Sequence, residues 1–412
     1  MQETVAVIGG GAAGFFSAIS CSEANPGLRV VVFERSRRVL AKVRVSGGGR
    51  CNVTHSCFEP RELVTRYPRG SRELLGPFHQ WQPRDTVAWF EARGVSLKTE
   101  ADGRIFPTSD LSSTIIDCLV RAARTLDVEV RKQAGVQSVS TSSARRFALT
   151  VGHGGSFEAD RLIIASGGAR KSGGPRIAQS LGHTITELAP SLFTFHVDDP
   201  RIGGLQGLTI ENVRVVCREA KLEQSGPMLI THWGLSGPAI LKLSAWGARS
   251  LARMGYRFEL RVNWLGDASA DSVRSTLNDQ KRDLSRRSVR TLCPFPLPKR
   301  IWERLTGAAG IATGSQWAQL GKAQMNALVE QLVDSRFHVT GKSMNKEEFV
   351  TCGGVSLREV DFKRMESKLV PGLHFAGEVL DIDGVTGGFN FQAAWTTGRI
   401  AGTHAAESLS GE

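Results

Sequence analysis

The chain has 412 residues, of which 41% are hydrophobic and 22% charged, so it is long enough for two or three hydrophobic cores. It contains no run of about 18 apolar residues, which excludes a transmembrane helix. A net charge of +12 is unusual for an enzyme of small neutral substrates and favours a polyanionic partner. The seven scattered cysteines and the absence of a leader-like N-terminus predict reduced thiols, no metal site and a cytoplasmic location.

The first predicted element is a β–α–β unit over residues 4–34. An apolar run at Val5–Ile8 predicts a buried parallel strand, and Gly9, Gly11 and Gly14 follow it with the spacing G-x-G-x-x-G. In this motif the first glycine permits a tight turn and the second lets the backbone approach a pyrophosphate. The third lets the helix pack closely on the strand. The unit therefore predicts a dinucleotide-binding site.

The residues around the glycines complete this predicted site. Ala12 and Ala13 begin the helix, whose free N–H groups attract phosphate. Glu34 ends the second predicted strand, where a carboxylate accepts hydrogen bonds from an adenosine ribose, and Arg35 follows it. We expect all four residues to contact the cofactor.

Residues 40–55 (LAKVRVSGGGRCNVTH) form a glycine-rich loop. Three successive glycines leave a stretch of backbone without side chains, which can lie flat against a planar ring. The predicted contacts of this loop with the cofactor are Lys42, Ser46, Gly47, Gly48, Gly49, Arg50, Cys51 and Asn52. Six basic and no acidic residues lie between Arg35 and Arg50, and two cofactor phosphates are one explanation for them.

Residues 1–190 contain further segments that we expect at the same site. Val136 begins a strand pair whose main chain would contact the adenine edge. A strand at 161–165 ends in Ala165, Ser166 and Gly167, where the backbone again approaches the dinucleotide. An amphipathic helix is predicted around 114–125.

The middle of the chain changes in pattern. Alternating polar and apolar residues predict antiparallel strands from 191 to 268 and again from 333 to 350. Residues 269–332 have helical spacing broken by prolines and predict a small helical domain. The cofactor domain is then discontinuous and consists of 1–190 and 351–412.

A basic stretch lies inside the predicted helical domain. Lys281–Arg304 has eight basic residues against two acidic ones. Within it, Lys281, Arg282, Arg286, Arg287 and Arg290 are spaced so that one helix could carry them on a phosphate-facing side. A solvated helix face and a contact with ribosomal RNA are both open interpretations.

The C-terminal segment 372–398 decides between the dinucleotides FAD and NAD. A short strand leads to acidic residues, and two glycines then open a helix whose N-terminus carries partial positive charge. This arrangement is typical of the second FAD-contacting segment of flavoproteins. The expected contacts here are Glu378, Asp383, Gly387, Gly388, Phe389 and Asn390.

Four segments of the chain resemble the aminoacetone-oxidase-type flavoprotein family, also called BaiN-like or RdsA-like. They are 40–55, 226–241 (GPMLITHWGLSGPAIL), 350–373 (VTCGGVSLREVDFKRMESKLVPGL) and 377–395 (GEVLDIDGVTGGFNFQAAW). The resemblance implies an α/β fold: a discontinuous Rossmann-like FAD-binding domain with an inserted β-rich domain and a small helical domain. It also implies amine oxidation, alkene reduction or reduction of a uracil in ribosomal RNA to dihydrouridine.

Two residues are candidates for proton transfer. Cys51 lies in the glycine-rich loop, although small buried cysteines are common in proteins. His232 lies in a predicted turn of the inserted domain; imidazole suits acid–base chemistry, and a histidine satisfied by backbone is the alternative. The chain has no second Rossmann motif that would bind a nicotinamide nucleotide, so NAD(P)H, if it is the electron donor, would bind transiently at the flavin. Oxygen stays open as an electron acceptor.

Two classes of function remain. The first is an FAD-dependent oxidoreductase, NAD(P)H-driven, that acts on RNA or on a small molecule such as an amine or enone. The second is an RNA- or protein-binding factor in which FAD has no catalytic role. The intact loop at 46–52 favours the first, and the basic stretch favours RNA among its substrates.

Overall fold

The computed structural model describes residues 2–141, 146–152, 154–168, 173–343 and 350–410. The chain divides into two compact units. Unit 1 is Met1–Pro190 with Lys346–Glu412, and unit 2 is Ser191–Asn345. All seven cysteines are free thiols, and all except the partly exposed Cys293 are buried.

The described residues form the following strands and helices, each set given in chain order. The strands are β1 (Thr4–Ile8), β2 (Arg29–Phe33), β3 (Thr54–His55), β4 (Leu97–Thr99), β5 (Arg104–Pro107), β6 (Glu129–Arg131), β7 (Val136–Thr141), β8 (Phe147–Val151), β9 (Gly155–Ala159), β10 (Arg161–Ile164), β11 (Ile185–Ser191), β12 (Thr194–His196), β13 (Thr209–Cys217), β14 (Leu222–Ile230), β15 (Gly234–Ser236), β16 (Phe258–Asn263), β17 (Ser335–Val339), β18 (Gly341–Ser343), β19 (Val350–Val355), β20 (Val360–Asp361), β21 (Glu366–Ser367) and β22 (Leu373–Phe375). The helices are α1 (Ala12–Ala24), α2 (Ala41–Val45), α3 (Pro60–Leu63), α4 (Ser71–Gln80), α5 (Pro83–Glu91), α6 (Ser112–Thr125), α7 (Gly174–Ser180), α8 (Pro238–Trp246), α9 (Ala248–Arg253), α10 (Ala270–Asp283), α11 (Lys299–Ala308), α12 (Lys322–Val333) and α13 (Phe389–Ser410).

The main sheet of unit 1 is largely parallel. Its strand order is β20-β21-β22-β10-β1-β2-β6, and β1 pairs in parallel with both β2 and β10. Every residue of β1 is buried, as expected for a parallel strand covered on both faces. From β1 the chain continues to β2 and β6 on one side of the sheet, and β10 and β22 then lie on the other side of β1. The sheet therefore has a topological switch point between β1 and β10, where such folds bind ligands.

Helices α1 and α13 pack against each other at very short range. A Cβ atom on Gly402 would overlap the carbonyl oxygen of Ser17, and one on Gly398 would lie 2.8 Å from the carbonyl oxygen of Ala13. The ring of Phe16 in α1 lies 5.4 Å from that of Trp395 in α13. The two ends of the chain are thereby held together under one face of the sheet.

Unit 2 is built around a seven-stranded sheet with the order β17-β16-β13-β14-β15-β12-β18. One hydrophobic core contains sheet residues such as Val215 and Leu260 together with Leu277 of α10, Trp302 of α11 and Leu328 of α12. Sheet and helices therefore share one core. The predicted boundaries between a β domain and a helical domain stay a prediction.

The prediction that one helix carries Lys281, Arg282, Arg286, Arg287 and Arg290 is wrong beyond Asp283. Helix α10 ends at that residue. Ser288 forms an isolated β-bridge with Gln316, and Val289 is buried and donates its N–H to the carbonyl of Ser315 at 3.0 Å. The segment with Arg286 and Arg287 is therefore a loop held by these backbone contacts. Among the described helices, none is both long and apolar enough to span a bilayer.

One buried histidine of the main sheet links stability to pH. His374 lies in β22 with 1% of its surface exposed, and its Nδ1 lies 3.2 Å from the carbonyl oxygen of Arg364. Burial lowers the pKa of His374 to about 4. The unfolded chain then takes up a proton on this residue near pH 6.5, whereas the folded chain does not until about pH 4.

We predict that the free energy of unfolding falls by about 3 kcal/mol between pH 7 and pH 4 through His374 alone. His374→Gln should flatten this part of the pH dependence in urea titrations, because it removes the titrating group. His79→Gln is the matched control, since His79 is exposed. Equal pH dependence in both variants would contradict the assignment.

Candidate cofactor and active site

A cleft of about 700 Å³ opens in unit 1 at the carboxyl ends of the parallel strands. Gly9 follows β1, Glu34 follows β2, Ala165 follows β10 and Gly377 follows β22, and all four line it. The cleft thus lies at the switch point of the sheet, with both ends of the chain contributing to its wall.

The glycine turn after β1 has the geometry that its motif predicts. Gly9 has φ +113°, and a Cβ atom there would lie 2.5 Å from the carbonyl oxygen of Ala165. A Cβ atom on Gly14 would overlap the carbonyl oxygen of Gly9, so close helix packing requires glycine. At Gly11 a Cβ atom would meet nothing within 4 Å. Since Gly11 lines the cleft, that open space belongs to the ligand rather than to the protein.

Glu34 is fixed by hydrogen bonds before any ligand arrives. Its Oε2 accepts from the N–H of Gly10 at 2.9 Å, and its Oε1 accepts from the N–H and the hydroxyl of Ser36, both at 2.8 Å. A carboxylate has about four lone-pair positions. Three of these positions are occupied, so Glu34 can still accept one hydrogen bond, from a hydroxyl of a ribose in the cleft.

The loop before β7 lies beside Glu34 and Arg35. Ala134 donates its N–H to the carbonyl of Glu34 at 2.9 Å, and a Cβ atom on Gly135 would lie 2.8 Å from the Cβ of Arg35. Gly135 and Val136 both line the cleft. The predicted contact of the Val136 main chain with an adenine ring fits this placement.

Lys42 and Glu378 meet in the cleft wall although they are distant in sequence. Lys42 Nζ lies 2.5 Å from Glu378 Oε2, and Glu378 Oε1 accepts from the N–H of Thr351 at 2.7 Å. The ion pair joins the glycine-rich loop region to the C-terminal segment. Both predicted residues therefore face the same space.

The charge of the cleft wall matches a pyrophosphate. Its side chains carry two more positive than negative charges when all are ionised, and a dinucleotide diphosphate carries two negative charges. The cations are Arg35, Arg38, Lys42 and Arg176, and the carboxylates are Glu34 and Glu378. With the open space at Gly11 and the fixed carboxylate of Glu34, these residues fit FAD.

Within the glycine-rich loop, Ser46–Gly49 form a single turn next to the cleft. Gly47, Gly48 and Gly49 all have positive φ, and Cβ atoms on the last two would meet nothing within 4 Å. Ser46 lines the cleft. The backbone of this turn is therefore open on one side, as a surface for a planar ring requires.

The side chains of Arg50 and Asn52 contact other residues of the protein. Arg50 Nη1 lies 2.6 Å from Glu100 Oε1, and its guanidinium lies 4.0 Å from the centre of the Phe106 ring. In the amide orientation that satisfies its neighbours, Asn52 accepts from the N–H of Gly388 at 2.9 Å and donates to Thr54 O at 2.9 Å. Asn52 therefore ties the glycine-rich loop to the second glycine turn, and its predicted contact with the cofactor stays a prediction.

Cys51, in this loop, is fully buried. Its φ is +63°, and its N–H donates to the carbonyl of Ser46 at 3.0 Å. Burial raises the pKa of Cys51 to about 12, against a smaller opposing effect of the Ser46 hydroxyl. A proton donor works best with a pKa near the working pH, so this geometry favours the alternative of a small buried residue.

Residues 66–70 clamp the segment that leads into α13. Arg69 donates to both carboxylate oxygens of the buried Asp383. The hydroxyl of Tyr67 donates to the carbonyl of Phe389 at 2.6 Å, and Val385 donates its N–H to the carbonyl of Arg66 at 2.9 Å. Asp383 thus binds the protein itself. No sequence motif marked residues 66–70 as partners of this segment.

The second glycine turn sits tightly against β3. A Cβ atom on Gly388 would lie 2.5 Å from the carbonyl oxygen of Thr54, and the ring of Phe389 stacks on His55 at 4.7 Å. Asn390 accepts from the N–H of Gly384 at 2.8 Å and lines the cleft. The start of α13 is therefore presented to the cleft by a fixed turn.

His232 belongs to unit 2. It lies in the turn between β14 and β15, and its side chain is exposed. Its predicted role in proton transfer stays a prediction.

The structure brings many of the predicted residues to one cleft and adds others. Those that line it are Gly9, Gly11, Ala12, Ala13, Glu34, Arg35, Lys42, Ser46, Val136, Ala165, Ser166, Gly167, Glu378 and Asn390. Those that are not part of its wall are Gly14, Gly47, Gly48, Gly49, Arg50, Cys51, Asn52, Asp383, Gly387, Gly388 and Phe389. Wall residues that sequence reasoning missed include Gly10, Ser36, Arg38, Gly135, Gly152, Arg176 and Phe391. The basic run after Glu34 was the available signal for Arg38.

The fold, the two glycine turns and the charge of the cleft define the class of the protein, an FAD-dependent oxidoreductase. The family model described as HI0933-like protein Rossmann domain matches residues 3–404, and the chain belongs to this family. The predictions of a Rossmann-like α/β fold, of FAD and of this flavoprotein family are confirmed.

Two curated relatives match almost the whole chain. The ribosomal RNA dihydrouridine synthase of Escherichia coli is 31% identical over 95% of this chain and 95% of its own length. The 3-dehydro-bile acid delta(4,6)-reductase of Clostridium scindens is 28% identical over 98% of this chain and 99% of its own.

A solved structure with a similar fold is the 3-ketosteroid delta1-dehydrogenase of Sterolibacterium denitrificans. Its TM-score is 0.53 at 13% identity, and the match covers 99% of this chain and 100% of that one. At this identity the likeness concerns the fold alone.

We predict that Gly11→Val abolishes FAD binding and leaves the fold intact, because the Cβ atom of the new side chain would project into ligand space and meet no protein atom within 4 Å. The purified variant should be colourless, with the far-ultraviolet circular dichroism of the wild type. Gly307→Val is the matched control, since Gly307 lies in α11 of unit 2 and also has open space around it. A yellow Gly11→Val protein with unchanged FAD affinity would contradict the assignment of this space.

Proposed function

We propose that the protein is an NAD(P)H-driven reductase that converts a uracil base of ribosomal RNA to dihydrouridine in the cytoplasm. The observation that carries this proposal is the match, over 95% of both chains, with a relative named as a ribosomal RNA dihydrouridine synthase. The net charge of +12 supports it, because an RNA substrate carries a negative charge on every phosphate.

The reaction is a reduction of a carbon–carbon double bond conjugated with a carbonyl. Bound FAD supplies hydride chemistry, and NAD(P)H supplies the two electrons. Carbon 6 of the uracil receives a hydride and carbon 5 receives a proton, so the ring gains two hydrogens and NAD(P)H is oxidised.

The chain must hold the cofactor in place and deliver one proton. Cys51 and His232 are the candidate donors. Burial raises the pKa of Cys51 to about 12, which weakens this thiol as an acid near neutral pH. His232 is exposed and therefore open to a substrate.

A second candidate function is the reduction of a double bond in a small molecule. The bile acid reductase relative favours it, since it matches 98% of this chain. The charge of the chain favours RNA.

We predict that NADH or NADPH bleaches the flavin absorbance of the anaerobic protein, and that ribosomal RNA transcribed in vitro restores it. Mass spectrometry should then find dihydrouridine in the RNA. His232→Gln should slow this second step while leaving bleaching unchanged, and Cys51→Ala should leave both steps near the wild-type rate. Air, a small amine and a conjugated steroid ketone are the parallel acceptors. Reoxidation by the steroid ketone and not by RNA would replace the proposal with the second candidate.

The basic stretch is the proposed contact with RNA phosphates. Arg286 and Arg287 are exposed and lie outside the ion pairs of the described residues. By contrast, Arg282 pairs with Asp279 at 3.1 Å, and Lys281 donates to the carbonyl of Leu320. Arg286 and Arg287 are therefore the cations of this stretch most available to a polyanion.

We predict that changing Arg286 and Arg287 together to Ser makes the negative slope of log affinity against log salt concentration shallower by about 1.5, the value for two phosphate contacts. The comparison is made with ribosomal RNA at several salt concentrations. Arg282→Ser is the control and should leave the slope near that of the wild type, because its charge is already paired. An unchanged slope in the double variant would make this stretch a solvated surface.

A further inference from the structure

Unit 2 has a highly exposed tryptophan, Trp233, to which the proposed function assigns no role. Trp233 lies in the turn between β14 and β15 and has 62% of its surface exposed. Large aromatic side chains are normally mostly buried, and Trp264, Trp302 and Trp317 in the same unit are. Trp233 thus differs from these three tryptophans in its exposure.

The exposed ring rests on a second ring. The imidazole of His196 lies parallel to the indole of Trp233, with 5.6 Å between ring centres and 19° between planes. His196 is the last residue of β12 and pairs with Gly234 in β15, so it is anchored in the sheet. We call Trp233 and His196 the Trp233 platform.

The turn that carries the platform is fixed by its backbone. Val197 donates its N–H to the carbonyl of Trp233 at 3.0 Å, and Thr231 donates its N–H to the carbonyl of Gly234 at 2.7 Å. The hydroxyl of Thr231 also accepts from the N–H of Trp233 at 3.3 Å. A Cβ atom on Gly234 would overlap the backbone nitrogen of Val197, so the turn depends on glycine. The backbone that carries the exposed indole is therefore fixed.

We propose that the Trp233 platform stacks an unpaired base of the RNA substrate. This inference rests on the proposed function. An exposed and preorganised indole offers a flat π-surface, and every base has a π-face that stacks on such a ring. His196 is offset from the indole and covers only part of one face, and the exposed surface of the ring is open to a ligand.

Charge decides between an RNA base and another planar group. A chain with a net charge of +12 attracts the RNA backbone over a distance, and stacking then selects bases that are not paired. A neutral planar small molecule would gain nothing from that charge. The platform would thus add a base-dependent contribution to the phosphate contacts of the basic stretch.

The test compares two labelled single strands of equal length, oligouridine and an abasic ribose-phosphate oligomer, by fluorescence anisotropy on the holoprotein. Trp233→Ala should weaken oligouridine binding by about 5- to 150-fold, the range for the loss of one stacked base, and leave abasic binding unchanged. Trp233→Phe should keep most of the affinity, because a phenyl ring also stacks. Trp246→Ala is the matched control, since Trp246 is 43% exposed at the end of α8 and should not matter.

The outcomes separate this inference from the proposed function. Equal oligouridine binding by Trp233→Ala and wild type overturns the platform, and so does an equal loss of both oligomers or a loss confined to a planar steroid ketone. Base-dependent binding through Trp233 in a protein that forms no dihydrouridine supports the platform and overturns the proposed function. Wild-type far-ultraviolet circular dichroism of each variant shows that unit 2 is folded, and unchanged flavin absorbance shows that the cofactor site of unit 1 is intact.

Discussion

The cofactor site depends on the close approach of α1 and α13. The carbonyl oxygen of Ser17 leaves no room for a side chain at Gly402, and the carbonyl oxygen of Ala13 leaves none at Gly398. Because α1 begins at the first glycine turn and α13 begins after the second, this contact brings both turns to the same edge of the sheet. The middle of the chain can then fold as a separate unit without changing the distance between the two cofactor-binding segments.

Hydrogen bonds and an ion pair fix the positions of the two carboxylates in the cleft wall. Glu34 and Glu378 each accept hydrogen bonds from backbone N–H groups, and Glu378 also pairs with Lys42. These contacts fix the carboxylates before the ligand enters, so that little side-chain freedom is lost on binding. The same logic applies to the Arg69–Asp383 pair, which fixes the turn before α13.

The part of the site that the sequence predicted is the part set by the backbone. Gly9, Gly14 and Glu34 follow from local geometry, since each is required by a turn, a close contact or the end of a strand. Side-chain partners from distant segments were not predictable, because nothing near Asp383 in sequence indicates Arg69. The end of α10 was missed for the same reason: Ser288 pairs with Gln316, which lies in another segment.

The burial of the cysteines has a consequence for a chain that binds a redox cofactor. Reduced flavins react with oxygen to give peroxide, and peroxide attacks thiolates. Cys21 and Cys51 are fully buried, and burial raises the pKa of each to about 12, so neither is ionised or accessible. Only Cys293, in unit 2, is partly exposed. Burial thereby shields the thiols of unit 1 from peroxide that a reduced flavin would form.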